Sequence, residues 1–194
     1  GVARQSRAFR VGSRVPHAKA GVGAIPTQAS TNVAYGIEGL LLLEKGLRPE
    51  AVVKRLTEAD DRRDRRQLAV LDVDGRVKAF TGPGTNAWAG HIEGENFSVQ
   101  GNILAGEAVV KEMARAFAET KGELALRMMA ALDAAQGAGG DKRGVQSAAN
   151  LVVKPIDSPE RTTDKWVDLR VDDSPNPLGE LRRLLKLAIA ARRR

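Results

Sequence analysis

Leu68-Ala69-Val70-Leu71-Asp72-Val73-Asp74-Gly75-Arg76-Val77-Lys78-Ala79-Phe80 sets two apolar runs on either side of an Asp-Gly dipeptide. The pattern predicts a β-hairpin over residues 67–81, with Asp74-Gly75 in a tight type I′ turn, which requires positive φ at both central residues. Upstream, residues 18–28 are small, apolar and β-compatible. Gly21 and Gly23 there mark a bend or a close backbone approach. Ser30-Thr31-Asn32 supplies N-cap residues for an apolar helix to about residue 45, which Gly46 stops. Pro49 opens a second helix to about residue 59. Downstream, a polar glycine-rich loop over residues 82–96 leads into a strand over 97–104. A helix over 107–120 follows, with Val109, Val110, Met113, Ala114 and Phe117 at helical spacing, and then another over 123–135. Past the joint at Ala138-Gly139-Gly140-Asp141, strands are predicted over 147–154 and 165–171, the first apolar enough to be buried on both faces. A last helix, over 178–192, carries a stripe of Leu178, Leu181, Leu185 and Ala188. Hairpin links make antiparallel neighbours, and helix pairs fall between blocks of strands. The order therefore predicts an α+β fold, antiparallel sheets covered by helical layers, in one domain over residues 1–194.

Composition narrows the chemistry. The chain has no cysteine, which removes thiolate nucleophiles, iron–sulfur clusters and cysteine-ligated zinc. With only His17 and His91, a histidine metal site would need carboxylates to complete it, and no cofactor is expected. No stretch reaches the ~18 consecutive apolar residues of a membrane span, and residues 1–12 lack the apolar core of a signal peptide. A cytoplasmic protein with no membrane partner is expected. The formal net charge of +7 is concentrated at the ends, in Arg4, Arg7, Arg10, Arg14 and Lys19 and in Arg192, Arg193 and Arg194. The remainder is near neutral and aromatics are 4% of residues, so neither a continuous basic face nor stacking platforms favour a nucleic-acid partner. Asp60-Asp61-Arg62-Arg63-Asp64-Arg65-Arg66 mixes both signs and reads as a solvated, self-paired loop.

Four stretches carry a family resemblance. They are Pro16-His17-Ala18-Lys19-Ala20-Gly21-Val22-Gly23-Ala24; Trp88-Ala89-Gly90-His91; Val99-Gln100-Gly101-Asn102-Ile103-Leu104-Ala105-Gly106; and Gly139-Gly140-Asp141-Lys142-Arg143-Gly144 followed by Gln146-Ser147. In this order they resemble a bacterial and archaeal family of unknown function assigned to the N-terminal-nucleophile (Ntn) hydrolase superfamily. The resemblance implies a four-layer αββα sandwich with antiparallel sheets. It also implies that members begin about a strand earlier than Gly1, residues 1–6 matching the end of the second strand. In Ntn enzymes the attacking hydroxyl or thiol belongs to residue one, whose own α-amine is the base. Gly1 has no such group. Arg4 stands where the family has an apolar residue, and Thr85 where members often carry cysteine.

Candidate site residues each admit two readings. Asp141, Lys142 and Arg143 after a double glycine could orient a carboxylate, phosphate or amide, or form a solvated loop. Gln100 and Asn102 flank a glycine and could hold a substrate carbonyl, or satisfy backbone groups at a bulge. Thr27 and Asn32, with Gln28, Ser30 and Thr31, lie before a helix N-terminus and serve an anion or the cap. Tyr35 is the half-buried packing residue expected of a lone tyrosine. His91 is a candidate base or a structural residue. Ser147, beside Gln146, is a nucleophile only if Lys142 acts as its base. Gly82-Pro83-Gly84 is no phosphate loop, since no Gly-Lys-Ser/Thr follows. The expected function is an Ntn-type amide-bond hydrolase, inactive without an upstream nucleophile, taking a small-molecule or peptide amide. The alternative is a non-catalytic oligomeric module that binds a small molecule or protein. Either is expected to be a homo-oligomer. Asn32, Gln100, Asn102, Asp141, Arg143 and Ser147 are expected to converge on one cleft.

Overall fold

The computed structural model describes residues 1–159 and 161–192, so Arg193 and Arg194 of the basic C-terminal run lie outside it. The strand β4 (Arg66–Asp72) shows how the layers arise. Alternate side chains of a strand face opposite ways, and here both faces are buried. Leu68 and Val70 pack with Ile25, Tyr35, Val52 and Leu56 beneath the helices α1 (Val33–Glu44) and α2 (Pro49–Glu58). Gln67, Ala69 and Leu71 have the opposite parity and face the molecular interior. β4 pairs antiparallel with β3 (Gly23–Ala29) and β5 (Val77–Thr81), and β2 (Pro16–Lys19) extends the sheet in the order β2-β3-β4-β5.

The opposing layer is split. β1 (Val2–Ser6), β8 (Ser147–Val153) and β9 (Lys165–Val171) form one antiparallel sheet in the order β1-β8-β9. β6 (Gly90–Gly94) and β7 (Phe97–Gly101) form a separate pair. Three helices cover both pieces: α3 (Ala108–Glu119) over β6 and β7, α4 (Leu124–Gly137) over β1 and β8, and α5 (Pro177–Ala191) over β8 and β9. α3 and α4 also pack on each other, so the helical layer is continuous above the division. The fold is α+β, a layered sandwich with antiparallel sheets inside and helices outside.

Several local expectations change. Residues 18–28 fall in two strands, and the expected bend is at Gly21 (φ 73°), between β2 and β3. A Cβ on Gly23 would meet the Leu71 carbonyl oxygen at 2.4 Å, which is the close approach. The loop over 82–96 contains β6, whose short Gly-flanked run lacked an apolar alternation. The hairpin turn is not type I′, because only Gly75 (φ 83°) has positive φ there. Asp72 explains the difference: its carboxylate accepts from the Asp74 and Arg76 N–H groups at 3.1 and 2.9 Å and stabilises a longer turn. β7 stops at Gly101 because Ile103 turns left-handed (φ 56°), a conformation a β-branched residue rarely adopts and composition does not signal. At the N-terminus, where the match to a family strand and the adjacent apolar run predict β-structure over residues 1–9, the strand ends at Ser6.

Candidate functional site

A cavity of about 190 Å³ runs between β1 and β7, walled by β3 and β4 on one side and by α3 and α4 on the other. Its far end is apolar, with Met113, Phe117, Met128 and Leu132. Its other end is polar, and the polarity comes from alternation: Arg4, Gln28 and Gln67 sit at inward positions of β1, β3 and β4. Arg4 donates from Nη1 to Gln28 Oε1 at 2.8 Å. Gln28 Nε2 donates to Gln67 Oε1 at 2.7 Å, and Asn102 Nδ2 donates to the same oxygen at 3.1 Å. Gln67 Nε2 faces Thr81 Oγ1, the Gly90 carbonyl and the Gly101 carbonyl at 2.9, 3.1 and 2.9 Å. One fully buried amide thus ties the four-stranded sheet to the β6–β7 pair. Burial pulls the Arg4 guanidinium down to about 10 against the opposing field of Asp141, leaving it a cation at neutral pH.

Three of the six residues expected to converge, Gln100, Asn102 and Asp141, line this cavity. Both Gln100 amide atoms are buried without a hydrogen-bond partner among the described residues, as are Arg4 Nε, Gln5 Nε2 and Ser98 Oγ. Asp141 is fixed at the rim. Burial alone would raise its carboxyl, but the Arg143 guanidinium and the Arg143 and Arg7 backbone N–H groups hold it below the ordinary carboxylate value. Arg143 gives its planar fork to Asp141, at 2.9 and 2.6 Å, and so does not stand free for a ligand.

The other candidates lie elsewhere. Thr27 Oγ1 donates to the Asn32 carbonyl at 3.0 Å, and Asn32 Oδ1 accepts the Ala34 N–H at 3.2 Å, so this pair caps α1. Gln146 Nε2 donates to Asp173 on the surface. Ser147 is fully buried; its hydroxyl accepts from the Val11 N–H and donates to the Ala8 carbonyl, anchoring the chain after β1. Lys142 Nζ donates to the Ala87 carbonyl at 2.9 Å. Ser147 and Lys142 therefore do not form a nucleophile–base pair. His91 Nδ1 lies 2.8 Å from Thr81 Oγ1. That oxygen already accepts from Gln67, so the Thr81 hydrogen is free to point at Nδ1, in keeping with the lowering of the imidazole by burial. The charge run is not wholly solvated: Asp60 and Arg66 pair at 2.8 Å with side chains 13% and 10% exposed. Tyr35, buried rather than half-buried, donates to Asp60.

Residues 1–181 match the model of a family described as a family of unknown function, DUF1028. The chain belongs to this family. Its fold is similar to the crystal structure of protein SPO2555 from Silicibacter pomeroyi, of the same DUF1028 family model, with a TM-score of 0.87 and 34% identity. The match covers 96% of this chain and 78% of that one. No curated protein matches the chain. In this DUF1028 chain Arg4, Gln5 and Ser98 line the cavity, and Gln67 stands behind it as the partner of Gln28 and Asn102, although sequence reasoning passed over all four as site residues. For Gln67 a signal existed: it shares parity with Ala69 and Leu71, so a strand buried on both faces brings its amide inside. Among the described residues no three carboxylate or imidazole side chains cluster as metal ligands, and no helix is long and apolar enough to cross a membrane.

Proposed function

We propose that the chain is the scaffold of a cytoplasmic amide-bond hydrolase of the Ntn type, with the polar end of the cavity as its substrate site. The Gln100 carboxamide carries the reading: it is 8% exposed, lines the cavity, and has both its nitrogen and its oxygen unpaired among the described residues. An unpaired buried polar atom costs about 1–3 kcal/mol. One planar donor and one acceptor match the two edges of an amide. The Arg4 cation lines the same cavity and supports stabilisation of a developing oxyanion. The layered fold supports the reading by analogy alone, because one fold hosts many activities. Ser98 is the one hydroxyl side chain lining the cavity among the described residues, and it bonds to no base. The attacking group in this reading is therefore a residue brought into the cavity, as residue one is in Ntn enzymes. The same observation favours a second reading, a binding module without turnover.

The test titrates the 15N-labelled chain with N-acetylglycinamide. The expected result is a Kd on the order of millimolar, fitting so small a ligand, with the Gln100 side-chain amide resonances moving first. Gln100→Leu is expected to weaken binding at least tenfold while raising the urea midpoint, since it removes unpaired buried groups. Unchanged affinity in that variant would remove the reading.

A further inference from the structure

α1 turns its glycines toward the protein and large aliphatic side chains away from it. Its buried face is Tyr35, Gly36, Gly39 and Leu43. A Cβ on Gly36 would meet His17 Cγ at 2.1 Å, and one on Gly39 would meet Ile25 Cδ1 at 2.5 Å. The glycines therefore let the helix sit close on β2 and β3. Ala34, Ile37 and Leu41, spaced three and four apart, form a stripe on the outer side. Ile37 and Leu41 are 55% and 52% exposed. Among the described residues no other element exposes two large apolar side chains one turn apart. Single apolar residues are ordinary at a surface, whereas a contiguous apolar stripe marks a face that something covers.

One flank of the stripe identifies the cover. Glu38 and Lys45 are both exposed, and neither has an ionic partner among the described residues. They stand seven positions apart, about two helical turns, and so lie on the same flank. On the other flank Glu44 is already paired with Lys19 of β2. We propose that the outer face of α1 is a two-fold interface with a second copy of this chain, the two α1 helices packing antiparallel. A two-fold axis makes residue i meet residue j and j meet i. The axis that sets Glu38 opposite Lys45 of the second copy therefore forms that pair twice. It passes beside Leu41, which meets its own equivalent. A parallel pair would set this flank against the opposite one, where Glu44 is already engaged. α1 is about 18 Å long, so the contact is small, and a Kd on the order of 10 µM fits it. The face lies on the side of the four-stranded sheet away from the cavity. The dimer thus goes beyond the hydrolase reading and does not depend on it.

The experiment measures the mass of the chain by sedimentation velocity at concentrations up to about 100 µM, above the expected Kd. A dimer is expected. Leu41→Glu, a change at an exposed position, is expected to be monomeric with an unchanged far-UV circular dichroism spectrum. Glu38→Lys and Lys45→Glu are each expected to weaken the dimer at least tenfold, because each sets like charges together twice. The double variant exchanges the two charges and is expected to recover the parent affinity. A monomer at every concentration would overturn the interface, as would a dimer that Leu41→Glu leaves intact. A double variant as weak as either single one would overturn the antiparallel arrangement. A monomeric chain that binds phosphatidylcholine vesicles, and loses them in Leu41→Glu, would assign the face to lipid and overturn the proposed occupant.

Discussion

Gln67 is where the two halves of the molecule meet at the level of single atoms. Its oxygen accepts two amides and its nitrogen faces three acceptors, all inside the protein. Gln67→Leu keeps the volume but leaves the Gln28 and Asn102 donors and the Gly90 and Gly101 carbonyls short of a partner. Each buried loss costs about 1–3 kcal/mol, and some relax, so a loss of ~2–4 kcal/mol is expected in urea unfolding. A loss below ~1 kcal/mol would mean that the network is not holding the sheets together. The candidate residues legible in sequence were those beside glycine: Gln100, Asn102 and Asp141 all reach the cavity. Arg143, Ser147, Thr27 and Asn32 have equally suggestive chemistry but spend it on neighbours. Residue type alone cannot reveal which groups are already satisfied, because the partners, such as Ala8 for Ser147, lie far along the chain.

At the scale of elements, one ion pair shows how a surface-looking run can hold a layer. Asp60 follows α2, Arg66 begins β4, and Tyr35 of α1 donates to the same carboxylate. Burial would raise the Asp60 carboxyl. Arg66, the Arg62 backbone N–H and Tyr35 outweigh it and lower the group from an ordinary 3.8 to about 2. A carboxylate depressed in the folded state binds fewer protons than in the unfolded chain. Its contribution is therefore complete above pH ~4 and is lost as pH falls from about 4 through about 2. That contribution is about 2 kcal/mol. Urea midpoints between pH 7 and pH 2.5 should fall less steeply for Asp60→Asn, and parallel curves would contradict the assignment. The helices, the hairpin and the final two strands were legible because each has a strong period or a stop residue. β6 and the end of β7 were not, since one is five residues flanked by glycine and the other is decided by the left-handed backbone of Ile103.

For the whole molecule, the layered α+β arrangement followed from element order, while the division of one layer into two sheets did not. Strand pairing beyond adjacent hairpins depends on contacts such as β1 with β8, between residues more than a hundred positions apart. The continuous helices over a divided sheet, and the polar atoms left unpartnered beside that division, join the fold to the proposed chemistry. If the cavity is the working end of an amide hydrolase, turnover requires an attacking hydroxyl delivered to its polar end. The most direct measurement is hydrolysis of a panel of amides and esters by three proteins: the 194-residue chain, its Ser147→Ala variant, and the chain extended ahead of Gly1, through Asp-Gly, by a strand whose first residue is threonine. The account predicts turnover in the extended protein alone, abolished when that first threonine is replaced by alanine. Turnover by the 194-residue chain that disappears in Ser147→Ala would contradict it and place the nucleophile inside β8.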